Sequence, residues 1–420
     1  MSINFNKDIQ YYKFCAYGFL KNLRFFEPFI LLFFLDAGLS YLQIGILYSI
    51  REITTSILEI PSGIIADAIG RRRSMVFCFV CYIISFIIFY FSNSYILFIV
   101  AMFVFAIGAA FRTGNHKAMI FEYLSIKGWT NQKVHYYGHT RSWSQKGSAL
   151  SSILAAIVVF MSGNYRLIFL FSIIPYVIDL LLMLTYPKEL DGDIKSFNKK
   201  MIVENFKKIS KEFLLSLKNI KILKATANLS VYTGYYKAIK DYLQPVIQIY
   251  VLSLPFFISF NKEKRISIFI GIIYFVIYFL TSFAAKNSGN ISNKFSNLTK
   301  PLNISILFGL ILGIISGLFL NLNLSIITIF IFICFFLVEN IRKPIGIAYV
   351  SDMFDRKILS TALSFESQVN TLFAAIIAPV IGYFADTFGI GNGLIIVSLV
   401  LLISSPLYYL KSIKNGKSDI

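Results

Sequence analysis

Cations and carboxylates recur in the middle of stretches that are otherwise apolar. Residues 12–35 carry Lys21, Arg24 and Glu27; residues 42–66 carry Arg51 and Glu52; residues 223–252 carry Lys237, Lys240 and Asp241. An ionised side chain at a bilayer centre costs at least ~2.5–3.5 kcal/mol on insertion scales, so such groups face a polar interior and have partners there. The chemistry they suit is holding and releasing a charged solute or a proton. At 1.5 Å per helical residue, with Asp36 at the outer surface, Arg24 lies about 18 Å deep and Glu27 about 13 Å. Counted from Ser40, Arg51 lies about 16 Å deep. Five cations stand against three carboxylates at these depths, and an excess of fixed positive charge in a low-dielectric cavity attracts an anion. The competing reading is mutual neutralisation, Arg24 with Glu27, Arg51 with Glu52 and Lys237 with Asp241.

A second set lies nearer one membrane face. Arg112, His116, Lys117 and Glu122 follow one another in one segment, Arg342, Lys343 and Asp352 in another, and His135, His139, Arg141, Gln145 and Lys146 in a third. They suit either gating or interfacial anchoring, because long side chains snorkel. His139, Glu59, Asp179 and Glu366 are candidate proton sites. Tyr232, Tyr235, Tyr236 and Tyr242 offer an aromatic wall for a flat solute or, equally, ordinary packing. Cys78 and Cys81 form a C-x-x-C with nothing to complete a metal site, so no metal and no cofactor is expected.

The elements that must position these groups are membrane helices. The 420-residue chain is 57% hydrophobic and only 15% charged, well below the charge content of a soluble domain. Twelve segments approach the ~20 apolar residues a span needs: 12–35, 42–66, 74–92, 95–122, 136–161, 165–186, 223–252, 266–287, 301–320, 324–350, 359–383 and 391–410. The net charge of +19 lies mostly in short loops on one side, which reads as membrane orientation and not as nucleic-acid binding. That side holds Arg71, Arg72 and Arg73, Lys127 and Lys133, the stretch from Lys188 to Lys224, Lys294 and Lys300, Arg356 and Lys357, and Lys411, Lys414 and Lys417, while Lys262, Lys264 and Arg265 are the exception on the opposite side. The positive-inside bias therefore expects both termini in the cytoplasm of a bacterial cell. The chain divides into residues 1–186, a basic linker at 187–222 with an amphipathic pattern over 201–217, and residues 223–420.

The two halves repeat. Gly63-Ile-Ile-Ala-Asp67-Ala-Ile-Gly70-Arg71-Arg72-Arg73 after the second segment has a counterpart starting at Gly289, 226 positions on. Arg112, Ala118 and Glu122 recur as Arg342, Ala348 and Asp352, 230 positions on. Lys21-x-x-Arg24-x-x-Glu27-Pro28 recurs as Lys237-x-x-Lys240-x-x-x-Gln244-Pro245, with one residue inserted.

With that loop motif and duplication, the chain resembles the major facilitator superfamily. Its signature G-x-x-x-D-(R)-x-G-R-(R/K) is matched except at Ala68. The resemblance implies an all-α membrane protein with 12 transmembrane helices in two six-helix bundles related by pseudo-two-fold symmetry, around a cavity lined by the first and seventh spans. It makes Lys21, Arg24, Glu27, Arg51, Glu52, Lys237, Lys240 and Asp241 the substrate or coupling candidates. Gly63, Asp67, Gly70, Arg71, Arg72, Arg73, Arg112, Arg141 and Arg342 become the gating candidates. The expected activity is secondary-active transport of a small organic anion or zwitterion by alternating access, coupled to a proton or other ion. The expected form is a monomer in the bacterial cytoplasmic membrane.

The alternative is multidrug efflux by proton antiport. Two patterns of those antiporters are missing, since Met102, Phe103 and Val104 stand where an arginine is expected and Gly147-Ser-Ala-Leu-Ser-Ser replaces G-P-x-x-G-G. No nucleotide-binding loop, H-E-x-x-H or G-x-S-x-G occurs, so neither ATP drive nor an enzyme is expected.

Overall fold

The computed structural model describes residues 6–191, 220–353 and 356–411, with the side chains at 131, 133–135, 220–222, 351–353 and 356–365 outside that description. The amphipathic pattern at 201–217, the cations Lys414 and Lys417, and the side chains of His135, Asp352, Arg356 and Lys357 fall outside the described residues.

The described chain is helical, with no strand among the described residues. Its α-helices are α1 (Ile9–Lys21), α2 (Ile30–Asp36), α3 (Tyr41–Ile69), α4 (Arg71–Phe91), α5 (Tyr95–Arg112), α6 (Asn115–Ile126), α7 (Lys133–Ser162) and α8 (Leu167–Leu184). There follow α9 (Ile220–Ile239), α10 (Leu243–Ser253), α11 (Lys262–Ser292), α12 (Thr299–Asn321), α13 (Ser325–Met353), α14 (Arg356–Phe388), α15 (Ile390–Ile403) and α16 (Ser405–Tyr408). Among the described residues, eight helical stretches are long and apolar enough to cross a membrane.

The other four expected spans depart from a plain apolar rod for local reasons. Residues 42–66 form one helix, α3, but with Arg51, Glu52 and Glu59 along it. The last segment is short, ending as α15 at Ile403. The first and seventh are corrections to the expected continuous helices. Residues 12–35 break between Lys21 and Ile30, and residues 223–252 pass through a 3-10 turn at Lys240–Tyr242. Pro28 just before α2 and Pro245 in the first turn of α10 suit these restarts, because proline near a helix start costs no backbone hydrogen bond, although Pro61, Pro175, Pro344 and Pro379 sit inside continuous helices. The two breaks fall on the repeated Lys/Arg-Pro pattern.

Contacts divide the chain into two compact units. One comprises Met1–Leu39, Ile50–Phe206 and Ile247–Phe279. In it α4 packs on α5 and α8, and α1 on α7 and α8. Small residues set these distances: a Cβ at Gly18 would meet Ser144 Oγ at 3.0 Å, and one at Gly147 would collide with the Phe19 carbonyl. The other unit comprises Ser40–Ser49, Lys207–Val246 and Leu280–Ile420. There α9 packs on α14, and α12 on α13 and α15. The Tyr41 and Leu42 amides donate to the Asp386 carboxylate at 2.9 and 2.8 Å, capping the start of α3.

The loop motif between α3 and α4 shows how its residues divide the work. Gly70 has φ +99°, and a Cβ there would sit 2.8 Å from the Asp191 carboxylate. Asp191 accepts from the Arg72 amide at 2.8 Å and so caps α4. Arg72 also donates to the Tyr186 carbonyl at 3.2 Å. Arg71 bridges Asp67 at 3.4 Å and Glu122 at 3.6 Å, while Arg73 is exposed in the first turn of α4. Gly63 lies inside α3, where an added Cβ would meet nothing within 4 Å among the described residues.

Candidate anion-binding cavity

Within the first unit two helices stop beside one another, and a cavity of about 370 Å³ opens where they do. Lys21 is the last residue of α1, Arg112 the last of α5, and Gly114, at φ +80°, turns the chain into α6. Lys21, Asn22, Arg112, Gly114, His116 and Lys117 all line the cavity, with Tyr137, Thr140, Arg141, Ser144 and Gln145 from α7 opposite. Four of the lining residues are cations and none is a carboxylate. The start of α6 has no side-chain cap, so its positive end adds to the same field.

The walls hold these groups in place. Tyr17 stacks on the His116 ring, with centroids 3.5 Å apart and planes 14° apart. His116 Nε2 lies 3.3 Å from the Tyr186 hydroxyl. Arg112 Nε donates to the Tyr82 hydroxyl at 3.3 Å, and Lys117 lies 5.6 Å from the centre of the Tyr137 ring. Lys21 and Arg112 are half-buried, while Lys117 and Arg141 are exposed. Cations that are partly withdrawn from water, with aromatic faces and neutral donors beside them, are suited to a small anion with an organic body.

The cavity gathers only some of the residues expected to form a site. Lys21 lines it, together with Arg112 and Arg141, which the sequence placed among the gating residues. Lys117 and His116, expected to serve gating or interfacial anchoring, line it as well. The other deep charges are paired: Arg24 with Glu27 at 3.7 Å, Arg51 with Glu52 at 3.2 Å, and Asp241 with the adjacent Lys240 at 2.8 Å. Lys237 closes α9, in the second unit.

Arg342 departs most from its expected setting. It is fully buried and donates to the Leu302 and Asn228 carbonyls, the Asn228 side chain and Ser305 Oγ, the last at 2.7 Å. Its guanidinium also lies 5.3 Å from the Tyr232 ring centre. In the same unit Tyr232 and Tyr235 are buried against Gly309 and Gly313, and Tyr235 meets Ser398 Oγ at 2.6 Å, so these tyrosines pack the helices. Glu339 accepts from Thr233 at 3.2 Å. Cys78 and Cys81 are free, buried thiols.

A helical membrane fold with interrupted spans and a charged pocket among them defines a class, the solute carriers. The chain belongs to the Major Facilitator Superfamily, whose family model matches residues 14–341. The structure is similar to a variant of the nucleoside transporter NupG, with a TM-score of 0.76 at 14% identity over 95% of this chain and 99% of that one. It is also similar to a POT family transporter solved with a thioalcohol-conjugated peptide, with a TM-score of 0.65 at 16% identity over 94% and 95% of the two chains. In sequence it is 31% identical over 90 residues to the uncharacterized MFS-type transporter YxaM of Bacillus subtilis (strain 168). That match spans 21% of this chain and 23% of the relative. The chain is thus a membrane transporter by family, and the structural likenesses speak to its fold.

Proposed function

We propose that the protein carries a small organic anion or zwitterion across the bacterial cytoplasmic membrane by alternating access, coupled to a proton or another ion, and that the cavity at the ends of α1 and α5 is where the anion binds. The observation that carries this reading is the lining: Lys21, Arg112, Lys117 and Arg141 with no carboxylate among them. Fixed cations around a cavity whose lining carries no carboxylate favour a ligand that brings negative charge. Residues 1–186 and 223–420 then act as the two moving halves of a monomer, with both termini cytoplasmic, as the loop charges favour. Asp67, Arg71 and Glu122 would hold one end of this arrangement. The cavity's net positive lining disfavours multidrug efflux, whose hydrophobic and often cationic cargo would be repelled.

A thermal-shift screen tests the reading. The purified protein is challenged with monocarboxylates, dicarboxylates, phosphate monoesters and amino acids, alongside uncharged and cationic analogues of similar size. Stabilisation by an anionic class, and its loss in Lys21→Ala and Arg112→Ala, is the expected result. A response confined to hydrophobic cations would sink it.

A further inference from the structure

Lys262-Glu263-Lys264-Arg265, the cationic turn on the face opposite the basic loops, takes no part in the anion cavity. It opens α11. Arg265 donates to the Val251 and Leu254 carbonyls at 3.0 and 2.7 Å and so closes the end of α10. Lys264 reaches the other way, its Nζ 6.0 Å from the centre of the Phe160 ring on α7, and Lys262 is exposed. Phe160 belongs to the wall of a groove of about 400 Å³ between α7 and α11, within the first unit. Ile157 of α7 and Ile268, Ile272 and Phe275 of α11 line it further, and no lining residue is polar. The two helices touch at Ala156 and Gly271, where a Cβ on the glycine would lie 2.5 Å from that of Ala156. At the lysine end, the Phe160 ring meets Phe260 edge-on with centroids 5.3 Å apart, and Phe257 stacks on Phe260 at 6.1 Å. Phe256, Phe257 and Ile258 of the same loop are exposed.

We propose that this groove is a binding site for an anionic phospholipid, with one acyl chain lying between α7 and α11 and the phosphate held by Lys264 and Lys262. The site is separate from the anion cavity and does not depend on how that cavity is read. Its length fits one leaflet. Phe275 follows Lys264 by 11 positions, about 16 Å of helix, close to half of a ~30 Å hydrocarbon core. A chain entering at the lysines therefore ends near the bilayer centre. The walls are open to that medium, since Ile157, Ile272 and Phe275 are exposed. An apolar groove left unfilled forfeits dispersion contacts along its walls, and a flexible acyl chain restores them. The exposed phenylalanines suit the boundary between headgroups and chains, where apolar rings sink and lysine ammoniums stay among the phosphates. Charge then selects the headgroup. Two lysines against the single carboxylate of Glu263 favour a lipid with net negative charge over a zwitterionic one, whose own ammonium competes for the phosphate.

Brominated lipids test the site directly. The full-length protein carrying Phe275→Trp is reconstituted in phosphatidylcholine vesicles. A rising fraction of the lipid is then replaced by phosphatidylglycerol brominated at mid-chain or, in parallel, by phosphatidylcholine brominated in the same way. Fluorescence lost beyond that of wild type reports the groove, because Trp129 and Trp143 are common to both proteins. Half-maximal quenching is expected at about a five- to tenfold lower fraction of phosphatidylglycerol than of phosphatidylcholine, and Lys262→Gln with Lys264→Gln should abolish that preference. Equal curves for the two lipids would overturn the proposal, as would a preference that survives both lysine changes. Quenching by neither lipid would mean that protein, such as a second copy of the chain, covers the groove, and would overturn it equally. Should Phe275→Trp fail to fold, Ile272→Trp carries the reporter from a more exposed position in the same groove.

Discussion

Arg112 and Arg342 stand at matching places in the two halves of the sequence, and truncating each should have a different effect. Arg342 is enclosed by the Asn228 and Leu302 carbonyls and Ser305. Arg342→Ala leaves those acceptors buried and is expected to cost roughly 3–5 kcal/mol, seen as a large drop in unfolding temperature in detergent. Arg112 faces the cavity and donates to the Tyr82 hydroxyl at 3.3 Å. Arg112→Ala should leave the unfolding temperature within a few degrees of wild type and weaken anion binding about ten- to a hundredfold. Equal loss of stability in both variants would remove the distinction. The sequence placed both arginines among the gating candidates because spacing records duplication, and duplication does not record which copy is enclosed by a ring of acceptors. For Arg24 and Glu27, and for Arg51 and Glu52, adjacency along the chain sufficed, and the pairs form as the spacing allows. Asp241 was expected to meet Lys237 one turn away. A 3-10 turn at Lys240–Tyr242 follows Lys237, and within it Asp241 meets the adjacent Lys240 at 2.8 Å.

Among the elements, the turn from α3 to α4 gives the sharpest contrast between two glycines of one motif. Gly70→Ala forces a side chain into a positive-φ conformation and against the Asp191 carboxylate, and is expected to destabilise by about 1–3 kcal/mol. Asp191→Ala removes the cap of α4 at a cost of about 1 kcal/mol. Gly63→Ala should be neutral or stabilising by about 0.5–1 kcal/mol, since it lies inside a helix where an added Cβ meets none of the described residues within 4 Å. Thermal unfolding of the three variants checks the order, and a Gly63→Ala as damaging as Gly70→Ala would contradict it. The helix boundaries show where apolar runs mislead. An average over about 20 residues does not register a break when both sides are oily, so residues 12–35 and 223–252 read as single rods. The local signals were present as Pro28, Pro245 and the Thr113-Gly114 pair. Asp191 gave no such signal, because a capping carboxylate that arrives 119 positions later in the chain is visible only in the folded state.

For the whole molecule, the loop charges make a prediction that family membership alone does not. A fluorescent reporter that matures only in the cytoplasm, fused after Ile420, should be bright, and a periplasm-dependent phosphatase fused there should be silent. A second phosphatase fusion between Asn321 and Asn323 should be active. The reverse pattern would invert the orientation. What the sequence by itself determined is the medium and the architecture: helices, because an apolar chain in lipid must satisfy its own backbone; duplicated halves, from matched motifs; and buried charge that must serve a purpose. Only the tertiary structure decided which charges are spent on partners and which remain turned to a cavity. That outcome depends on helix ends meeting in space. Lys21 and Arg112 lie far apart in sequence and line one pocket because α1 and α5 both stop there, a coincidence of termini that no periodicity along the chain encodes.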